Sequence, residues 1–187
     1  MRKYIRAVIC LLYSFVKFCF IKLFHLKGFK FSIFNMVSPF TEIEIGKNGA
    51  LSLGKMVRIR SGSKIRVRNG SKVEIGVNTS FNHGCMVISH EEVTIGNNTQ
   101  FGPNVLIYDH DHDFRTDNGL KELKYKTSPI KIGNNVWIGA NVMILQGTEI
   151  GDNCVVGAGS IIKGNFPNNS IIIQKRDTVI NKIQKNI

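Results

Sequence analysis

Two histidines stand one residue apart in the segment YDHDHDF (108–114), where His110 and His112 alternate with Asp109, Asp111 and Asp113. An imidazole titrates near neutral pH, so it can take a proton from a hydroxyl and hand it on as a general base. His-x-His among carboxylates can also chelate a metal, although no third ligand is evident. A solvated acidic loop without chemistry is the third reading. Upstream, Asn82 lies in SFNHG, where an asparagine either holds a ligand hydroxyl or forms a turn. His83, beside it, is left without a role. Trp137, the sole tryptophan, sits in NNVWIGA and reads as cleft lining or as a subunit contact. Cys10, Cys19, Cys85 and Cys154 form no CxxC pair, which is neither a disulfide framework nor a zinc ribbon and points to a reduced, cytoplasmic compartment.

These residues must be positioned by a repeat. Aliphatic or aromatic anchors recur every sixth position at Ile132, Ile138, Ile144, Ile150, Val156 and Ile162, and shorter arrays begin at Leu53, Ile75 and Ile95. Gly, Asn, Asp or Ser follow most anchors and supply turn conformations that other residues resist. A period of six is neither helical nor a simple alternation. It predicts short strands joined by tight corners, with each anchor pointing inward and stacking on the next coil. Arg58, Arg60, Arg66 and Arg68 alternate with aliphatic residues, which places them on the outer wall. The excursion 108–129 interrupts this regularity, and such interruptions are where function concentrates.

The tract IGNNVWIGANVMILQGTEIGDNCVVGAGSII (132–162) resembles the hexapeptide-repeat acyltransferases, and the resemblance extends over about residues 41–170. It implies a mainly β fold, a left-handed parallel β-helix solenoid, usually trimeric, transferring acyl groups from coenzyme A or acyl carrier protein. NVLIYDHDHDF is similar to the family's sugar O-acetyltransferases. The match implies His112 as the catalytic base, with His110 as second choice, and Asn82 as holder of the acceptor hydroxyl. It further implies that Trp137 lines the acetyl-CoA cleft and that the Ala140 N–H steadies the oxyanion. Gly139 and Ala158 would admit the pantetheine arm, and Lys163 would reach a coenzyme A phosphate. No metal is expected. The chain departs from the family after residue 162: GSIIKGNFPNN (159–169) replaces the usual ending, and Gln174, Lys175 and Arg176 stand where a Gly-x-Pro turn is usual. Lys175 and Arg176 are candidates to replace the lost contacts by charge.

The net charge of +12 has two addresses. Residues 1–31 carry Arg2, Lys3, Arg6, Lys17, Lys22, Lys27 and Lys30 with no acidic residue, and residues 55–72 carry the other basic run. The first segment has helical periodicity, with Ile5, Val8, Leu12, Val16 and Leu23 on one apolar face and Arg2, Lys3, Arg6, Tyr13 and Lys17 opposite. Lys17 and Lys22 interrupt any run long enough to span a bilayer. An amphipathic helix on an anionic membrane surface is expected, with packing on the chain's own domain as the alternative. The expected division is therefore a basic amphipathic helix over 1–32 and a β-helix domain over 33–187, a peripheral protein on the cytoplasmic face of the membrane. Its expected partners are acetyl-CoA, a sugar or glycan acceptor and two further copies of itself. A γ-carbonic-anhydrase-like metalloenzyme and a non-catalytic scaffold are the competing functions. Nucleic acid is disfavoured because no recognition helix or stacking motif accompanies the charge.

Overall fold

Anchors six residues apart can all face inward only if the chain turns a corner between one and the next. The computed structural model does this. It describes residues 2–175 and 177–180, with helix side chains from Ala7 onward. Arg176 and the side chains of Arg2, Lys3, Ile5 and Arg6 therefore lie outside the described residues.

Three parallel sheets form the walls of a solenoid. The first wall stacks Phe29–Lys30, Ala50–Leu53, Lys72–Ile75, Glu92–Ile95, Ile130–Ile132, Glu149–Ile150 and Asn165–Phe166. The second stacks Met36–Val37, Arg58–Ile59, Ser80–Phe81, Gln100–Phe101, Trp137–Ile138, Val155–Val156 and Ile171–Ile172. The third stacks Glu42–Ile45, Lys64–Val67, Met86–Ser89, Leu106–Tyr108, Met143–Leu145 and Ile161–Ile162. Every predicted anchor is buried: Ile132, Ile138, Ile144, Ile150, Val156 and Ile162 are no more than 3% exposed. Phe81 and Phe101 occupy adjacent coils of one inward column, with ring centroids 4.5 Å apart.

The corners explain the glycines and asparagines. Between the first and second walls, Asn78, Asn98, Asn135 and Asn153 adopt left-handed φ values of 55–58°. That conformation costs most side chains about 1–2 kcal/mol, and asparagine tolerates it better through local hydrogen bonds. Here the amides also ladder from coil to coil, as in Asn78 Nδ2 donating to Asn98 Oδ1 at 3.0 Å. Met56 takes the same corner position at φ 60° without an amide to help. Gly96 is required for a different reason, since a Cβ there would lie 2.5 Å from the Gly133 carbonyl oxygen of the next coil.

The helix Arg2–Phe24 caps the N-terminal end and packs on the strand Met36–Val37. Phe29 lies fully in the core, so the segment 1–32 already supplies the first strand of the first wall. A narrow stripe makes the helix contact. Ser14 Oγ donates to the Val37 carbonyl at 3.1 Å and accepts from its N–H at 2.7 Å, while buried Phe18 meets Phe29 and Phe31. Lys17 Nζ donates to the Thr41 carbonyl and Lys22 Nζ to the Phe29 carbonyl. The Lys17 side sits on the solenoid, and Val8, Leu12, Val16, Phe20, Leu23 and Phe24 are each more than half exposed. By length and composition alone, Ala7–Phe24 is apolar and long enough to cross a membrane, even with Lys17 and Lys22 within it.

Candidate functional site

The second wall and its corner to the third gather most of the predicted cofactor residues. Ser80–Phe81 and Trp137–Ile138 flank Gln100–Phe101 in register, so Trp137, Gln100, Ser80 and Arg58 form one outward column. Trp137 is 60% exposed. A groove of about 370 Å³ runs between Arg58, Arg60, Asn82, Gln100 and Trp137. Asn82 lines this groove, and its Oδ1 also accepts the His83 N–H at 2.9 Å, so it is a turn residue as well as a groove residue. The His83 ring meets Ser61 Oγ at 2.8 Å. Ala140 and Ala158 occupy the same corner one coil apart, and no acceptor among the described residues takes the Ala140 N–H. Gly139 is buried, and a Cβ on it would lie 2.6 Å from Ala158 N. A side chain at this position would therefore collide with the chain's own next coil.

His110, His112 and Lys163 lie at the opposite edge of the third wall, where the chain turns back to the first. That wall is three residues wide at Leu106–Tyr108, roughly 10 Å at about 3.3 Å per residue. One chain therefore does not bring the histidines to the Asn82–Trp137 groove. The excursion 108–129 is a β-arm: His110–His112 pairs antiparallel with Tyr125–Thr127, and Gln146 Nε2 pins its base by donating to Asp111 Oδ2 at 2.7 Å.

The two histidines share one face of this strand and both meet Tyr125, yet their environments differ with distance from the solenoid. His112 is exposed and packs on Tyr125 at 4.7 Å between centroids. His110 is half-buried, with Nδ1 3.3 Å from Asp109 Oδ1, and its ring stacks 3.9 Å from that of His90. Asp109 is fully buried and accepts from Ser89 Oγ, His90 N–H and Glu91 N–H at 2.7–2.9 Å. Burial works to raise its carboxyl, but the His110 contact and these donors prevail, and its pKa lies below the ordinary value. An ionised carboxylate only accepts, so the proton of neutral His110 belongs on Nδ1, leaving Nε2 as the base. Burial first, then the charge of His110, pushes His90 from 6.5 down to about 4. His90 is therefore neutral at pH 7, and the fold loses stability as pH falls from about 6.5 towards 4, because there the unfolded chain takes up a proton that folded His90 does not.

His90, Asp109, Tyr125, Arg58 and Arg60 were not among the sequence-predicted site residues. For the first two the signal was present: Tyr108 pairs with Ile88, so Ser89-His90 stacks on Asp109-His110 once the repeat register is written out. Lys163 and Lys175 are exposed. Gln174 does not offer itself to a ligand, since its amide accepts from the Ile161 N–H and donates to the Ile161 carbonyl, closing the edge of the third wall. Among the described residues no three His, Cys, Asp or Glu side chains converge as a metal-ligand set.

The family described as bacterial transferase hexapeptide (six repeats) matches residues 129–164. The galactoside O-acetyltransferase of Escherichia coli is 38% identical over 101 residues, covering 52% of this chain and 47% of that protein. WbbJ of the same organism, named as a candidate lipopolysaccharide biosynthesis O-acetyl transferase, is 34% identical over 113 residues, covering 56% of this chain and 58% of that protein. The chain thus spans about half the length of the curated relatives it matches. A crystal structure of a maltose O-acetyltransferase from Clostridium difficile superposes with a TM-score of 0.58 at 32% identity, covering 71% of this chain and 70% of that one. With the repeat, the three-walled solenoid and these matches in agreement, the chain belongs to the hexapeptide-repeat transferase family.

Proposed function

We propose that this protein transfers an acetyl group from acetyl-CoA to a sugar hydroxyl. The observation that carries the reading is the Asp109–His110 pair, a base with its tautomer set, at the root of an arm on a solenoid akin to sugar O-acetyltransferases. His110 Nε2 takes the hydroxyl proton while Asn82 holds the acceptor. The sugar oxygen attacks the thioester carbonyl carbon, and the Ala140 N–H stabilises the tetrahedral oxyanion. The C–S bond then breaks, and the proton on His110 passes to the departing thiolate. The products are an O-acetyl sugar and free coenzyme A. Geometry favours His110 over His112 as the base because only His110 has a carboxylate to fix its ring.

The two halves of the site flank the third wall, which supports a homotrimer in which the arm of one copy lies against the Trp137 groove of the next. The likeness to WbbJ supports a cell-surface polysaccharide or lipid-linked glycan as acceptor. The exposed apolar face of the helix, with basic residues before and after it, supports a seat on the inner face of the membrane. Mass spectrometry of candidate glycans incubated with acetyl-CoA tests the reaction. One acetyl per product and an equal amount of free thiol are expected, and intact acetyl-CoA with every glycan would refute it. For the membrane seat, Val16→Glu on the exposed face should abolish co-sedimentation with phosphatidylglycerol vesicles. Unchanged sedimentation would refute that part.

A further inference from the structure

The basic residues of the outer wall divide into two kinds. On the third wall they are neutralised: Arg66 Nη2 meets Glu42 at 2.5 Å, and Arg68 meets Glu44 at 2.9 Å. On the second wall, Arg58 and Arg60 have no carboxylate partner among the described residues, and Arg58 is only steadied by Asn78 Oδ1 at 3.1 Å. Both arginines line the groove that holds Asn82 and Trp137. Strands stack at about 4.8 Å, so Arg58 lies roughly 14 Å from Trp137 along the column Trp137–Gln100–Ser80–Arg58. Arg60 lies one coil from Asn82 in the neighbouring column.

Beyond the arginines the surface changes character. The next residue in the Arg58 column is Met36. An apolar hollow of about 400 Å³ opens there between Leu11, Phe34, Met36 and Met56, with Lys55 and Arg58 at its rim. Phe34 and Met56 are 57% and 51% exposed, and Leu11 belongs to the helix whose apolar face is open. Met56 is the second observation. Its corner position is filled by asparagine in the coils that follow, and methionine bears the left-handed backbone there without an amide. A strained residue kept where the unstrained one is the norm points to a use for its side chain.

We propose that this lane binds an amphiphilic acceptor: a sugar joined through a phosphate or diphosphate to an apolar chain. The sugar lies at Asn82 and the phosphate at Arg58 and Arg60. The apolar chain runs over Met36, Phe34 and Met56 to the exposed face of the helix. The charge order along the lane fits this occupant end to end: polar and aromatic at the sugar, unpaired cations at the phosphate, apolar at the tail. A soluble sugar would leave the arginines and the apolar hollow unused. A guanidinium fork suits a phosphate, and its bidentate bonds survive next to an apolar surface. This inference rests on the acceptor reading above and names the class of acceptor.

The test is calorimetric binding of farnesyl diphosphate to the full-length protein, without acetyl-CoA, against farnesol, inorganic pyrophosphate and a uridine diphosphate sugar. Farnesyl diphosphate is expected to bind at least about tenfold tighter than each of the others. The double variant Arg58→Gln, Arg60→Gln should lose about tenfold or more for farnesyl diphosphate and for pyrophosphate. Phe34→Ser and Met56→Asn should lose affinity for farnesyl diphosphate alone, while Met56→Asn melts at a higher temperature because its corner strain is relieved. Pyrophosphate or the nucleotide sugar binding as tightly as farnesyl diphosphate would overturn the lane, as would a changed sedimentation mass in Phe34→Ser, which would mark a subunit contact. The two proposals fail separately. Acetylation of soluble sugars with no farnesyl diphosphate preference leaves the transferase reading and removes the lane. Tight farnesyl diphosphate binding without acetylation of any glycan does the reverse.

Discussion

His110→Asn lowers kcat by about 10²–10⁴-fold, the usual contribution of a positioned general base, whereas His112→Asn stays within about tenfold of the parent. The two residues differ in composition not at all and in sequence position by two, yet their surroundings are opposite. Asp109, fully buried and ionised, faces His110 Nδ1 at 3.3 Å, and His90 stacks on the other side. His112 has Tyr125 and solvent. Asparagine keeps a donor towards Asp109 but has no basic nitrogen, so the arm should retain its fold while proton transfer fails. The measurement is steady-state kinetics with acetyl-CoA and a glycan acceptor, following free thiol. KM for acetyl-CoA should change little, because in the proposed mechanism His110 moves protons and does not hold the coenzyme. A large kcat loss in His112→Asn with a small one in His110→Asn would reverse the assignment.

Phe81→Ala destabilises the solenoid by about 3–5 kcal/mol, the range for removing a buried phenyl ring. Phe81 is 2% exposed, stacks on Phe101 with planes 1° apart, and lies between Ile59 and Phe101 in the inward column of the second wall. Collapse into the void is resisted because the flanking coils are held in register by backbone hydrogen bonds, such as Arg60 N–H to the Phe81 carbonyl at 3.1 Å. Neighbouring coils stabilise each other, so the loss propagates to Arg60 and Asn82 beside it. Guanidinium denaturation with an unchanged m-value measures the effect. A loss below about 1 kcal/mol would mean that the column relaxes freely and that stacking contributes little.

Much of this architecture was legible without coordinates. A six-residue recurrence of aliphatic side chains marks the inward positions directly, because each wall contributes one such anchor per coil and a misplaced anchor would expose an apolar residue. Ile132, Ile144 and Val156 were identified on that ground and all are buried. Asn82 and Trp137 were singled out by the resemblance to the family, and they share a groove. The arm was harder to read. Between Tyr108 and Ile130 the period lapses, so the sequence does not say which side of His110 or His112 faces the solenoid.

The helix illustrates the same boundary. Its periodicity announces an apolar face and a basic one, but periodicity is silent on which face seats against the domain. Burying Ser14 and Phe18 and tying Lys17 and Lys22 to open carbonyls leaves the apolar face outward. The unpaired state of Arg58 and Arg60 is likewise invisible in a count of charges, because Glu42 and Glu44 neutralise arginines of the third wall only through cross-coil register. By itself, the sequence determined the coil, its inward residues and the residue types available for acyl transfer, since these follow from local spacing and turn chemistry. Tertiary structure alone decided which histidine meets a buried carboxylate, which cations stay free and which helix face remains open, because each depends on contacts between residues that only the stacking of coils brings together.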